Sequence, residues 1–389
     1  MNRQSLAKNK MTLSEVSELM SQIATPWSLY LVPNNLEAEK EKFFESSSYN
    51  PKFTYRKPEA ADRNKVVFGA LSGVEEITDV DPELSKYIIL VIQAKREAAD
   101  ILEKIGNDEK FAGVSLKRFG EPSYWLFRRA CKILRGKYSN FTIVEQNDRL
   151  RKKVLQFDEL VPIFETVFAR LGLEGWTIGK SKAIIEAGFR TAVKTRRIMV
   201  DPEIKITAEK LRKTIVHEVA THALRGHNGF ATGFEVFGKP NLPEYLDDEE
   251  GLAFYNEEKF GVLRATDLKR RAAQVYSIYL GQSMSFRRTH NALSAVYPKK
   301  TAFNIVLRVK RGLSDTSKPG CHFKDATYLR GFLRIRKKLS DDAVSYRNMY
   351  AGKLPMKYLY LVEEGILPKP KVVPTNELMQ DIFKETGLD

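Results

Sequence analysis

The stretch HEVATH, His217–His222, is the part of the sequence around which the rest of the chain must be arranged. Neutral imidazole nitrogens are favoured zinc ligands, and a catalytic zinc site combines three protein ligands with one open position for water. Glu218 directly follows the first histidine, where a carboxylate can take a proton from such a water. The chain has five histidines, and three of them lie between His217 and His227. This clustering disfavours the alternative that HEVATH is a chance string on a charged surface helix.

The spacing within this stretch differs from the common zincin motif His-Glu-x-x-His, in which two ligands four residues apart share one face of an α-helix. Here the histidines are five residues apart. Five residues of an ideal helix turn by about 500°, which would leave the two rings about 140° apart. An undistorted helix could therefore not bind one metal ion with both. The spacing predicts a π-type turn or a local break at Val219–Thr221, a defect often found at functional sites.

A second stretch, EEGLA at Glu249–Ala253, offers a third ligand. Pro243 and the acids before this stretch predict the start of a helix, because proline and carboxylates are favourable in the first turn. Glu249 and Glu250 would point about 100° apart on that helix. Spacing alone leaves either of them open as the ligand.

The segments next to HEVATH have their own signals. Thr207 is predicted to cap the metal-binding helix, and GHNG, Gly226–Gly229, is predicted to end it. The run Arg190–Glu203 is predicted to form one extended strand that stops at Pro202. By analogy with zincin-type folds, this strand is expected to be the edge that binds substrate by backbone pairing.

Apolar residues at helical spacing predict several further helices. The predicted ranges are Thr12–Ile23, Pro82–Gly106, Glu121–Leu134, Phe157–Leu171 and Asn376–Glu385. Trp176–Gly179 is predicted to begin a strand region. His290 and His322 are not expected to bind metal.

Length and composition exclude several classes of protein. With 389 residues, of which 43% are hydrophobic, the chain can form one large or two ordinary domains. Two widely separated cysteines give neither a disulfide framework nor a cysteine-rich zinc site, which fits a reducing compartment. The N-terminus lacks the apolar region of a secretory leader, and the apolar run Tyr87–Ala94 is too short to span a bilayer. A cytoplasmic location without a membrane partner is therefore expected.

The formal charge of +15 is concentrated in one segment. Arg287–Lys338 holds fourteen lysines and arginines against two acids. Such a field attracts anions and speeds their encounter. Ordinary solvated surface charge accounts for any single residue of this segment, but the segment as a whole favours an acidic partner.

Three stretches together resemble the microtubule-associated tyrosine carboxypeptidase family, which is grouped with bacterial proteins known by a QEGLA motif. They are HEVATHALRGHN, EEGLA and VKRGLSDTSKPGCHFKDATYLRG. The resemblance implies that His217, His222 and Glu250 bind one Zn²⁺ and that Glu218 is the general base. At Glu249 this chain departs from the glutamine that many relatives carry.

The resemblance also implies an activity: a zinc metallocarboxypeptidase that removes a C-terminal residue, tyrosine in the eukaryotic relatives, from an acidic protein tail such as that of α-tubulin. A terminal carboxylate needs a cation, and the candidates are Arg225, Arg311 and Lys324. An ion-pair role is an equal alternative for Arg225. Tyr328 is a candidate donor to the oxyanion, with a core position as the equal alternative.

The fold expected is α+β and zincin-like, with a small mixed sheet, a distorted metal-binding helix and additional N-terminal helices. Residues 1–155 are expected to form a mostly helical region packed on the catalytic part, and residues 156–389 the catalytic domain with a basic C-terminal part. One alternative is a zinc aminopeptidase or endopeptidase. Another is a non-catalytic basic protein that binds nucleic acid or microtubules. Nucleic acid is disfavoured because the chain has neither zinc-finger spacing nor an RNA-recognition aromatic motif.

Overall fold

The computed structural model describes residues 9–145, 147–182, 188–240, 242–340 and 342–389. Within these ranges the chain is mostly helical with short strands, which confirms the α+β class. The helices are, in chain order, α1 (Leu13–Gln22), α2 (Trp27–Tyr30), α3 (Leu36–Glu45), α4 (Ala61–Ala70), α5 (Pro82–Glu103), α6 (Asp108–Phe119), α7 (Tyr124–Leu134), α8 (Asp148–Lys152), α9 (Phe157–Arg170), α10 (Ala208–Thr214), α11 (Leu224–Ala231), α12 (Pro243–Lys259), α13 (Ala265–Gly281), α14 (Phe286–Leu293), α15 (Lys299–Lys310), α16 (Ala326–Leu339), α17 (Ala343–Asn348), α18 (Tyr360–Glu363) and α19 (Asn376–Glu385).

The strands are short and form small sheets. In chain order they are β1 (Asn9–Met11), β2 (Val74–Ile77), β3 (Val154–Leu155), β4 (Thr177–Lys180), β5 (Phe189–Ala192), β6 (Arg197–Val200) and β7 (Ile206–Thr207). Strand β1 pairs with β2 in parallel, and β3 pairs with β7 in antiparallel fashion. In the remaining sheet, β6 is central, parallel to β4 and antiparallel to β5. This last sheet is small and mixed, as the sequence predicts.

The chain divides into two compact units. The first comprises residues 1–137 and 269–327, and the second comprises residues 138–268 and 328–389. The boundary predicted between residues 155 and 156 stays a prediction. Among the described residues, no helix combines the length and the apolar character needed to cross a bilayer.

In the first unit, local signals start the helices and aromatic side chains fill the core. The Thr12 hydroxyl accepts a hydrogen bond from the Glu15 amide, and the Glu15 carboxylate accepts one from the Thr12 amide, so the two residues cap α1 reciprocally. Phe43, Phe286 and Phe303 are buried against one another, with ring centroids 5.1–5.2 Å apart. Edge-to-face and tilted pairs of this kind add stability beyond the area that they bury.

In the second unit, the mixed sheet packs its apolar face against helices. Phe189, Ile198 and Val200 on this face are buried. The Phe164 ring of α9 stacks on Phe189 with centroids 6.0 Å apart. Alternation along each strand leaves the other face of the sheet to solvent, because successive side chains point to opposite sides.

The predicted single strand at Arg190–Glu203 is wrong. The structure has a hairpin there, in which a 3₁₀ turn at Val193–Thr195 separates β5 from β6. Arg196 follows this turn in the left-handed region, at φ 51°. That conformation reverses the chain, so β5 and β6 pair with each other instead of forming one extended run.

The helix predicted to bind metal begins where predicted but ends later. The Thr207 hydroxyl accepts from the Lys210 amide and caps α10, which confirms the predicted start. The helix continues past GHNG to Ala231, so the predicted end is wrong. The two glycines serve close packing: a Cβ at Gly226 would lie 2.3 Å from Val193 Cγ1, and one at Gly229 would lie 1.9 Å from the Phe237 carbonyl oxygen.

Candidate metal centre

A π-helix brings the two histidines of HEVATH together. It spans Ile215–Ala223 between α10 and α11, which confirms the helix defect predicted at Val219–Thr221. The i→i+5 hydrogen-bond pattern of a π-helix places more residues in each turn than an α-helix does. The imidazole rings of His217 and His222 therefore lie side by side, with centroids 4.8 Å apart and planes at 86°.

A buried polar network stabilises this π-helix. The Thr221 hydroxyl donates to the Val216 carbonyl oxygen, five residues earlier, over 2.9 Å. Asn256 of α12 donates to the Thr221 hydroxyl and to the Tyr350 hydroxyl, each over 2.7 Å. Tyr346 donates to the Asn256 side-chain oxygen over 3.1 Å. Since buried polar groups need partners, these bonds tie the π-helix to α12 in one arrangement.

His217, His222 and Glu250 form a group that could hold a metal ion. One possible ligand atom from each residue lies within 4.8 Å of the other two. His217 Nε2 and Glu250 Oε2 are 3.7 Å apart. All three side chains are partly buried, and no second group of this kind occurs among the residues that the structure describes.

The other ring nitrogen of each histidine is held by a carboxylate of α12. His217 Nδ1 lies 2.7 Å from Glu257 Oε1, and His222 Nδ1 lies 2.8 Å from Glu249 Oε1. A carboxylate accepts hydrogen bonds, so each Nδ1 carries a proton, and in the neutral ring the lone pair is then on Nε2. Metal-binding histidines are oriented by carboxylates in this way. The second carboxylate oxygen of Glu257 is buried and has no hydrogen-bond partner in the described part of the chain.

Glu249 is fully engaged in this supporting role. Besides His222, its carboxylate accepts from Arg225 Nη1 and Lys353 Nζ. Burial alone would raise the pKa of Glu249, but Lys353, Arg225 and His222 hold that pKa well below its ordinary range. The Lys353 amino group also lies 3.1 Å from the Tyr245 hydroxyl. Glu249 and Glu250 therefore have different partners in the structure, a distinction that their spacing in the sequence could not predict.

Each of the four consecutive acids of α12, residues 247–250, has its own partner. Arg330 binds both oxygens of Asp247, at 2.7 and 2.9 Å. Asp248 lies 2.6 Å from a terminal nitrogen of Arg334. Glu249 pairs with the cations described above. Glu250 has no Lys or Arg ion-pair partner among the described residues, and its carboxylate lies 3.7 Å from His217 Nε2.

Negative charge surrounds His217. Burial lowers the pKa of this imidazole, but the hydrogen bond to Glu257 and the charges of Glu257, Glu218 and Glu250 raise it above its ordinary value. Carboxylates so arranged attract a cation, whether a proton or a metal ion.

Glu218 is held by the edge strand of the mixed sheet. The Thr191 hydroxyl of β5 donates to Glu218 Oε2 over 2.6 Å. Strand β5 has β6 on one side and no strand on the other among the described residues. The carboxylate predicted to be the general base, which belongs to the π-helix, is therefore hydrogen-bonded to the edge strand of the sheet.

The structure shows Arg225 in a buried ion pair, which is the alternative given above to a role in substrate binding. Its side chain is completely buried, and it donates to Glu249, to the Met349 carbonyl oxygen and to the Leu354 carbonyl oxygen. This enclosure favours the ion-pair role of Arg225, and its role in substrate binding stays a prediction.

Arg311, Lys324 and Tyr328 stay predictions. Arg311 and Lys324 belong to the first unit, whereas the three candidate ligands belong to the second. Arg311 lies 4.0 Å from the buried Asp325. Tyr328, in α16, is buried with 9% of its surface exposed.

Much of the positive charge of Arg287–Lys338 is used inside the protein. At least six of the fourteen cations bind internal acceptors, namely carbonyl oxygens for Arg287 and Lys310 and carboxylates for Arg308, Arg330, Arg334 and Arg336. These six stabilise the fold. Because their donors are used in this way, these six cations are not available to an acidic partner.

Gly251 of EEGLA allows α12 and α16 to touch. A Cβ at Gly251 would lie 2.5 Å from the Gly331 carbonyl carbon, and one at Gly331 would lie 2.0 Å from the Asp247 carbonyl oxygen. Only glycine permits this approach of two backbones. Because Glu250 precedes Gly251, the contact fixes the position of the third candidate ligand.

Several supporting residues escaped the sequence analysis. Glu257 had a signal: it lies seven residues after Glu250, about two helical turns along the same face. Thr191 had a weaker signal, as a hydroxyl in the strand predicted to bind substrate. Asn256 and Lys353 had none, because nothing in the sequence links them to HEVATH.

The family profile described as microtubule-associated tyrosine carboxypeptidase matches residues 41–384. Microtubule-associated tyrosine carboxypeptidase 1 of Mus musculus is 26% identical over 311 residues, which cover 78% of this chain and 55% of that protein. The protein of the same name from Homo sapiens is 26% identical over 315 residues, with the same shares. The chain spans about half the length of these curated relatives. Since the profile covers most of its residues, the chain belongs to the microtubule-associated tyrosine carboxypeptidase family.

Proposed function

We propose that this chain is a zinc metallocarboxypeptidase of zincin-like fold that removes a C-terminal residue, tyrosine above all, from an acidic protein tail such as that of α-tubulin. The observation that carries the proposal is that one possible ligand atom each of His217, His222 and Glu250 lies within 4.8 Å of the other two, while a carboxylate holds the Nδ1 atom of each histidine. The names of the relatives supply the reaction and the terminal residue.

The donor set fits zinc. Two imidazoles and one carboxylate are a common set for catalytic zinc, and they leave one position for water. Two ligand atoms, each about 2.1 Å from a tetrahedral ion, would lie about 3.4 Å apart. The 3.7 Å between His217 Nε2 and Glu250 Oε2 is close to that separation.

Bound zinc would acidify a water molecule and polarise the scissile carbonyl group. Glu218 would take the proton of that water and later deliver it to the leaving amine. Thr191 would hold the Glu218 carboxylate toward the reacting atoms through its 2.6 Å hydrogen bond. Glu249 and Glu257 would keep the histidine rings oriented and their Nδ1 atoms protonated.

The position of β5 supports both the zincin-like fold and peptide as the substrate. It lies at the edge of the mixed sheet and is bonded to the metal-binding helix through Thr191 and Glu218. An extended peptide can add to such an edge by main-chain hydrogen bonds. Microtubules, which the relatives carry in their names, are the partner proposed, and the cytoplasm is the location proposed.

The decisive experiment incubates zinc-loaded protein with a synthetic acidic tail ending in tyrosine. Mass spectrometry is expected to detect loss of one tyrosine, no loss with a chelator, and no loss from the same peptide with an amidated C-terminus. Glu218→Gln is expected to abolish turnover at nearly unchanged zinc content. Cleavage of the amidated peptide would instead indicate an endopeptidase, and turnover by Glu218→Gln would remove Glu218 from the role of base.

A further inference from the structure

We propose that the open face of the β5–β6 hairpin binds the acidic residues that precede the scissile bond. This face, defined by Arg190, Ala192, Arg197 and Met199, is called the hairpin face below. The inference rests on the proposed function, because it assigns the acidic part of that substrate to a surface of the same unit. The sequence alone pointed to Arg287–Lys338 as the binding surface for an acidic partner. At least six cations of that segment instead bind acceptors inside the protein.

Strand register defines the hairpin face. Arg190 pairs with Met199 and Ala192 pairs with Arg197, so these four side chains lie on one side of the sheet. The intervening residues, Phe189 and Ile198 among them, are buried on the other side. Arg190 and Arg197 are diagonal neighbours, for which Cα atoms are separated by about 7–8 Å. Both side chains are exposed.

Three cations of the hairpin are available to a ligand. Arg190 and Arg197, and Lys194 in the turn between the strands, are exposed and form no ion pair with any residue that the structure describes. Arginine is suited to carboxylates because its planar donors bind both oxygens at once. An unneutralised group of this kind favours a polyanionic ligand over a neutral one.

The hairpin face is continuous with the proposed active site. Thr191 lies between Arg190 and Ala192, on the opposite side of β5, where it binds Glu218. Side chains of a peptide added to β5 would alternate between the two sides of the sheet. Alternate residues would face the metal-binding helix, and the residues between them would lie beside Arg190. Acidic residues at these intervening positions would then contact the hairpin cations.

The test measures binding separately from cleavage. Fluorescently labelled peptides ending in tyrosine, with glutamate, glutamine or lysine before it, are titrated against zinc-loaded Glu218→Gln protein by fluorescence anisotropy. In this background, the double change Arg190→Glu and Arg197→Glu is expected to weaken binding of the glutamate peptide by about tenfold or more, since close charge pairs are lost. Binding of the glutamine peptide should change by less than about twofold, and the lysine peptide should bind more tightly.

The matched control is Lys299→Glu with Lys300→Glu, which reverses two exposed cations in the segment Arg287–Lys338. This control is expected to leave the preference for glutamate over glutamine unchanged. Equal weakening by the control would overturn the inference, as would a glutamate preference that survives reversal of Arg190 and Arg197. Thermal unfolding and zinc content should match among the variants. Wild-type protein that binds the glutamate peptide through Arg190 and Arg197 but cleaves no peptide would contradict the proposed function and leave this inference in place.

Discussion

The Thr221 hydroxyl donates to the Val216 carbonyl oxygen, five residues earlier in the π-helix, over 2.9 Å. We expect Thr221→Val to lower the free energy of unfolding by about 1–3 kcal/mol, because it leaves a buried acceptor without its donor. Zinc affinity should fall as well, since the π-helix that joins the histidines loses this bond. Chemical denaturation and competition with a zinc chelator measure the two effects. Thr221→Ser keeps the hydroxyl and should restore most of both.

The two adjacent glutamates of α12 should respond differently to removal of their charge. Glu250→Gln is expected to abolish tight zinc binding and to change the stability of the metal-free protein little. Glu249→Gln should instead destabilise the metal-free protein by about 3–5 kcal/mol, because Arg225 and Lys353 become buried cations without their counter-ion. Denaturant unfolding without metal, combined with zinc titration, separates the two. If Glu249→Gln abolished zinc binding and Glu250→Gln did not, Glu249 would be the ligand and Glu250 the supporting residue.

The link between Thr191 and Glu218 predicts a catalytic effect without loss of metal. Thr191→Val removes the 2.6 Å hydrogen bond to the carboxylate but keeps the shape of the side chain. We expect kcat to fall by about tenfold, since a misplaced base transfers protons less efficiently. Zinc content and KM should change little, and Thr191→Ser should recover the rate. A change confined to KM would argue that Thr191 acts on substrate binding instead.

Contact between α12 and α16 predicts a packing defect. Gly251→Ala would place a Cβ 2.5 Å from the Gly331 carbonyl carbon and 2.9 Å from Ile335 Cγ1. We expect a loss of about 1–3 kcal/mol or more in the free energy of unfolding, as in other overpacked cores. Gly113→Ala in α6 is the control, because no atom lies within 4 Å of its added Cβ. This control should gain about 0.5–1 kcal/mol from the better helix propensity of alanine.

The buried carboxylate of Asp325 predicts a dependence of stability on acid pH. Burial raises its pKa, but Arg308 and Arg311 lower it well below the ordinary value of 3.8. A carboxylate with a depressed pKa in the folded state contributes stability above pH 3.8 and loses that contribution as the pH falls further. Asp325→Asn should therefore be less stable than the wild type at pH 7, with the difference shrinking between about pH 4 and pH 2.

Denaturant unfolding of both proteins at several pH values measures this difference. The exposed Asp62, changed to asparagine, is the control, and its difference from the wild type should stay small throughout. A gap between Asp325→Asn and the wild type that stays constant down to pH 2 would contradict the assigned ion pair.

Much of the fold was predictable where the signal is local. Apolar residues at helical spacing predicted α1 and α5, and α19 begins and ends at the predicted residues, Asn376 and Glu385. The five-residue spacing of the histidines predicted the π-helix, because simple rotation geometry excludes a regular helix. These features depend on residues close in the sequence.

The features that escaped prediction depend on distant contacts or on backbone geometry. The hairpin at Arg196 requires a left-handed residue that is not glycine, which no turn signal marked. Gly226 and Gly229 looked like a helix end, because the close approach of Val193 and Phe237 is invisible in the sequence. Lys353 pairs with Glu249 from 104 positions away. The basic segment looked like a binding surface, because its carboxylate partners are assigned only by the fold.

The backbone contact between Gly251 and Gly331 limits how far the Glu250 carboxylate can shift relative to a bound metal ion. A coordination sphere tolerates errors of only about 0.2 Å, whereas side chains in a core readily adjust their torsions when a neighbour changes. Two main chains in direct apposition have no such freedom. The distance between Glu250 and the histidines is consequently set by rigid backbone. Substitutions in the surrounding apolar core should change this distance less than they would in a site positioned by side-chain packing alone.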